Sequence, residues 1–106
     1  MDSPLGELHL DSMYALVLEA EGFQFLIDPA LLWKPPRLLV RRGFVQTEVW
    51  LDETDISFTK ASKFSVRDQT LILKFVEEHL DELLCRWASL KDDVRRGRLE
   101  RNVLVN

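Results

Sequence analysis

Hydrophobic residues in the first part of this chain recur at every second position, and near Phe64 the period changes to every third or fourth. Tyr14, Leu16 and Leu18 alternate with Ala15, Val17 and Glu19, and after Gly22 the residues Phe23, Phe25 and Ile27 alternate with Gln24 and Leu26. A period of two is that of strands with one face buried. Glu21-Gly22 between these runs predicts a hairpin turn, because glycine takes the positive φ that a tight turn demands. Two further apolar runs, Arg37 to Val40 and Val45 to Leu51, flank Arg41-Arg42-Gly43, a second short connection with a glycine. Leu5 to Leu10 reads as a weak fifth strand or arm within residues 1–12. Pro29 and Pro35-Pro36 bracket Ala30 to Lys34, which predicts a loop or short helical turn there, since proline cannot donate to a sheet ladder.

Ser65-Val66-Arg67-Asp68 has the form of a capping box and predicts a helix starting at Val66. Ile72, Val76, Leu80, Leu83, Trp87, Leu90 and Val94 then follow at helical spacing, widened by Leu73 and Leu84, while Glu77, Glu78, Asp81 and Glu82 occupy the other side. Gly97 is the first strong stop. One helix from Val66 to Arg96 would be roughly 45 Å long, about twice what a sheet of four short strands covers. Its end near Trp87, Leu90 and Val94 is therefore expected to project, to bend, or to be covered by a returning segment.

These periods predict a single α+β domain over residues 1–106: an antiparallel meander of about four strands packed on one long C-terminal helix, with residues 97–106 as a tail. The expected core is Phe23, Phe25, Ile27, Val49, Leu51, Ile72, Val76, Leu80 and Leu83. The length suits one hydrophobic core without metals or disulfides. No apolar run approaches a membrane span, and the acidic start Met1-Asp2-Ser3-Pro4 is unlike a signal peptide, so a cytoplasmic location is expected. Cys85, the single cysteine, is expected to be reduced and buried in the helix as a small hydrophobe.

The formal net charge of −4 opposes general nucleic-acid affinity, but basic residues gather at Lys34, Arg37, Arg41 and Arg42 and again from Lys91 through Arg95, Arg96, Arg98 and Arg101. Such groups suit a phosphate or an acidic protein surface, and they also suit a solvated strand edge that resists aggregation.

Gly22-Phe23-Gln24-Phe25, Pro35-Pro36, Glu48-Val49-Trp50-Leu51-Asp52, Phe64-Ser65 and the helical Val76-Glu77-Glu78-His79-Leu80-Asp81-Glu82-Leu83-Leu84 with Trp87 stand in an order and spacing that resemble domain-of-unknown-function family 4160. The resemblance runs from Gly22 to about Leu90. It implies a meander followed by a long helix, in small bacterial proteins encoded beside toxin-antitoxin partners. That family typically carries His-x-His after its proline pair. Here those positions hold Arg37 and Leu39, neither of which can act as a base near neutral pH, so histidine-dependent chemistry is expected to be absent.

His9 and His79 are the remaining imidazoles; His79 lies beside the apolar stripe and reads as a boundary residue with one satisfied nitrogen. No metal spacing, phosphate-binding glycine loop or carboxylate dyad is evident, so no catalytic residue, cofactor or metal is assigned. The sequence favours a non-catalytic protein-binding module of a bacterial or phage conflict system, of antitoxin, immunity-protein or inhibitor type. Its partner surface is expected at Trp33, Lys34, Arg37, Arg41 and Arg42, joined by the helix end at Trp87, Leu90 and Val94, which also offers a route to self-association. The alternative is an RNA-directed toxin or RNA-binding protein that uses the basic strand and tail on phosphates.

Overall fold

The computed structural model describes residues 14–97, and within them the two periods become a four-stranded sheet and a broken helix. The strands are β1 (Ala15–Ala20), β2 (Phe23–Ile27), β3 (Arg37–Arg42) and β4 (Val45–Trp50), each antiparallel to its neighbour in the order β1-β2-β3-β4. A meander in sequence order is the simplest way to close short connections between adjacent strands. The expectation of an α+β domain with this sheet holds; the arm in residues 1–12 and the tail from residue 98 lie outside the described residues, as does His9.

Glu21 and Gly22, at φ 54 and 82, form a two-residue turn that pairs Ala20 with Phe23. Positive φ at both central positions matches the right-handed twist of the flanking strands. The register slips between Leu16 and Leu18, a β-bulge that lets both Val17 and Leu18 pack against the core. The second turn differs from the expected one. Arg41 and Arg42 belong to β3, where Arg42 pairs with Val45, and the turn itself is Gly43-Phe44, with Gly43 at φ 62. That shift leaves Phe44 fully solvent-exposed at the hairpin tip.

Pairing fixes which side chains share a face. Phe23, Phe25, Ile27, Leu38, Val40 and Val49 turn toward the helices and are fully buried with Ile72, Val76 and Leu83. Every residue of the expected core is buried except Leu80, which is half-buried at the break between the helices; Leu32, Leu38, Val40, Phe64 and Trp87 join it. Edge-to-face contacts of Phe23 with Phe64 and of Phe25 with Phe75, at centroid distances of 5.6 and 6.3 Å, lock the sheet to the helical side. The other sheet face carries Leu16, Leu26, Leu39, Glu48 and Gln24, Arg41, Gln46 in register. At the β4 edge, Trp50 donates its backbone N–H to Ser57 and Thr59 donates to Glu48, so residues 57–59 cover part of the edge strand.

The single long helix is corrected to two, α1 (Val66–Glu78) and α2 (Leu80–Arg95). Ser65 caps α1 as expected, its hydroxyl accepting from the Asp68 N–H at 3.1 Å. The break falls at His79, whose φ of −115° and ψ of 17° leave helical space. The His79 ring Nδ1 lies 2.8 Å from the Phe75 carbonyl, which also accepts the His79 backbone N–H. A side chain inserted into the i to i−4 ladder is a recognised cause of a sharp bend. Because a carbonyl only accepts, Nδ1 is the donor in this contact. The bend turns α2 over the loop after β2: Trp87 is buried, and Leu90 and Val94 pack half-buried against the core. Of the outcomes expected for that helix end, the bend is the one observed, and the end does not project. Cys85, expected in the core, is exposed, because it follows the inward-facing Leu83 by two positions and so lies away from that face.

Candidate functional site

The connection between β2 and β3 is a built turn. Pro29 to Leu31 form a short 3₁₀ helix, Asp28 accepts the Ala30 N–H at 3.0 Å, and Lys34 donates to the Leu31 carbonyl at 3.0 Å. Proline at the first position supplies the needed φ and loses no hydrogen bond. Leu32 is fully buried, which pins the turn to the core, while its neighbour Trp33 keeps 55% of its surface exposed. The Lys91 ammonium of α2 lies 5.6 Å from the Trp33 ring centroid, within cation–π range. A large indole is thus presented to solvent on a backbone that has little freedom left.

The other expected surface residues separate. Lys34 is exposed beside Trp33. The Arg37 guanidinium stacks on Trp50 at 4.6 Å and its Nε donates to the Pro35 carbonyl at 3.1 Å, so it is positioned close to the same turn. Arg41 lies on the open sheet face, its Nε donating to Gln24. Arg42 points to the opposite face. Its guanidinium covers Phe23 at 4.2 Å and is paired with the Asp68 carboxylate at the start of α1. Arg42 therefore closes one end of the core, far along the strand from the Trp33 turn. Trp87 is in the chain's own core, and Leu90 and Val94 are half-buried beneath the same loop, so little of the expected helix end is left for a partner.

A groove of about 560 Å³ adjoins the turn, which sequence reasoning missed. Pro35, Pro36, Trp50 and Leu84 give it apolar sides, and the loop Asp52 to Asp55 runs along its rim. Leu51 ties the two together by donating its N–H to the Pro36 carbonyl at 3.0 Å. Asp52 Oδ1 accepts from the Thr54 N–H at 2.9 Å and from the Thr54 hydroxyl at 2.8 Å. These bonds, the backbone one first, lower the Asp52 carboxyl from its ordinary value. The sequence signals were present in Pro35-Pro36 and in the acidic Asp52-Glu53-Thr54-Asp55, but nothing along the chain shows that α2 brings Leu84 against them.

Among the described residues no group of three or more His, Cys, Asp or Glu side chains is placed to hold a metal, and no helix is long and apolar enough to cross a membrane. No family model matches the chain, and neither the curated proteins nor the solved structures yield a match.

Proposed function

We propose that this chain is a small, non-catalytic protein-binding module of a bacterial or phage conflict system, acting in the cytoplasm in the manner of an antitoxin, immunity protein or inhibitor. The observation that carries the reading is Trp33, exposed on a proline-bounded turn whose neighbour Leu32 is fully buried. Tryptophan dominates binding energetics where it can be buried by a partner, and a pre-ordered turn lowers the entropy lost on association. Lys34 and Arg37 extend the surface, with Arg37 already oriented by Trp50 and Pro35. If the resemblance to family 4160 holds, Arg37 and Leu39 stand where its two histidines would be, which favours a binding role over a hydrolytic one.

The test is affinity capture from an RNase-treated lysate of the native host, with wild type, Trp33→Ala and a control Phe44→Ala at the far hairpin tip, each checked for folding by circular dichroism. The expected outcome is a protein partner retained by wild type and by Phe44→Ala and lost by Trp33→Ala. Retention by folded Trp33→Ala, or recovery only of salt-sensitive RNA from untreated lysate, would reject the reading.

A further inference from the structure

The groove beside the Trp33 turn combines two properties that select for one kind of occupant. Pro35, Pro36, Trp50, Leu51 and Leu84 give it an apolar lining. Along the rim, Asp52, Glu53 and Asp55 place three carboxylates within four residues, all on exposed positions, with no cation among them. The nearest basic residue on the β3 side, Arg37, is held on Trp50 and the Pro35 carbonyl. Leu84 and Lys91 stand seven residues apart on α2, so they share a side of the helix and are separated by roughly 10 Å. The Lys91 ammonium lies 5.6 Å from the Trp33 ring centroid, so the exposed indole stands on the Leu84 side of α2 with that cation over its ring.

We infer that this groove binds an extended basic segment of a partner protein, with apolar or proline side chains seated between Trp50 and Leu84 and arginine or lysine side chains against Asp52, Glu53 and Asp55. Grooves walled by aromatic and proline rings take extended chains well, because such chains lose little entropy on docking. The rim supplies the sign of the partner: a carboxylate-rich peptide or a phosphate backbone would meet three negative charges, whereas a cationic segment gains attraction in encounter and in the bound state. The bonds from Thr54 fix the loop in place before binding, so the charges are presented without reordering.

The inference rests on the protein-binding reading and names the partner's chemistry. It is tested with the full chain and short synthetic peptides in which arginine alternates with leucine and proline, against counterparts with glutamate for arginine. Fluorescence anisotropy should show binding of the basic peptide only, weakened by salt, and ¹⁵N shift changes should centre on Trp50, Asp52 to Asp55 and Leu84. Glu53→Lys with Asp55→Lys removes exposed charges that make no side-chain bonds to the fold and should weaken binding at least about tenfold. Equal binding of the acidic peptide, shifts located elsewhere, or an unchanged affinity in the double variant overturns the groove assignment. If Trp33→Ala abolishes partner capture while the basic peptide leaves the groove unperturbed, the protein-binding role stands and the inference falls; if neither responds, both fall.

Discussion

Arg42 shows how one residue can be misread from composition and yet be decisive in the fold. Its stem passes Gly22, where an added Cβ would meet Arg42 Cδ at 3.4 Å, and its guanidinium lies over Phe23 while pairing with Asp68. Three elements therefore meet on one cation: the first hairpin, β3 and the start of α1. The pair is partly exposed, so its Coulomb contribution is screened and the stacking on Phe23 carries much of the effect. Arg42→Ala is expected to cost on the order of 1 kcal/mol in urea denaturation. Leu83 and Leu80 separate a core position from a boundary one. Leu83→Ala should cost about 2 to 5 kcal/mol and Leu80→Ala clearly less, because only the former leaves a closed cavity. Cys85, exposed on α2, is expected to react stoichiometrically with a maleimide in the folded protein, read by mass spectrometry without denaturant.

The helical half illustrates a local signal overridden at one point. The stripe from Ile72 to Val94 keeps a single apolar side through its whole length, and neither proline nor glycine interrupts it. The backbone leaves helical space at His79, whose ring and N–H both bond the Phe75 carbonyl, and Trp87, Leu90 and Val94 pack onto the core instead of projecting into solvent. The start of α1 is secured separately: Ser65→Ala should cost roughly 1 kcal/mol, measured by thermal or urea unfolding. The loop after β4 has its own pH dependence. Since the Asp52 carboxyl is lowered in the fold by the Thr54 bonds, the order it confers is present above the unfolded carboxylate value and is lost as the pH falls through the folded value. The protection factor of the Thr54 amide should therefore fall as the pH is lowered through the folded Asp52 value, while protection in β2 and β3 is kept.

At the scale of the whole molecule, the sheet buries one face under the two helices and leaves strand ends and turns at two poles. One pole gathers Glu21-Gly22, Gly43-Phe44 and the start of α1, held by Arg42; the other gathers the Trp33 turn, the acidic loop and α2. Exposed apolar groups stand at both, Phe44 and Val66 at the first and Trp33 at the second. The second pole also holds the groove, with Asp52, Glu53 and Asp55 along its lining. A nitroxide at Cys85 offers an independent map, since it should broaden signals of an isotope-labelled partner bound at the second pole and leave those of one bound near Phe44 sharper.

The amino-acid sequence by itself determined the strands, the first hairpin, the capped start of the helix and the larger part of the core, though not Leu32, Leu38, Val40, Phe64 or Trp87. Each depends on near neighbours: alternation sets a strand face, glycine permits a positive φ, and serine caps an adjacent amide. Trp33 was also legible, because two proline sites exclude its segment from the sheet interior. The tertiary structure alone decided the rest. Arg41 and Arg42 went to opposite faces because strand pairing continues to Val45, and Trp87 became core because the bend at His79 lays α2 on Leu32 and its turn. The groove exists only where Pro35, Trp50 and Leu84 meet, three segments distant in the chain, and such meetings are set by packing that no local pattern encodes.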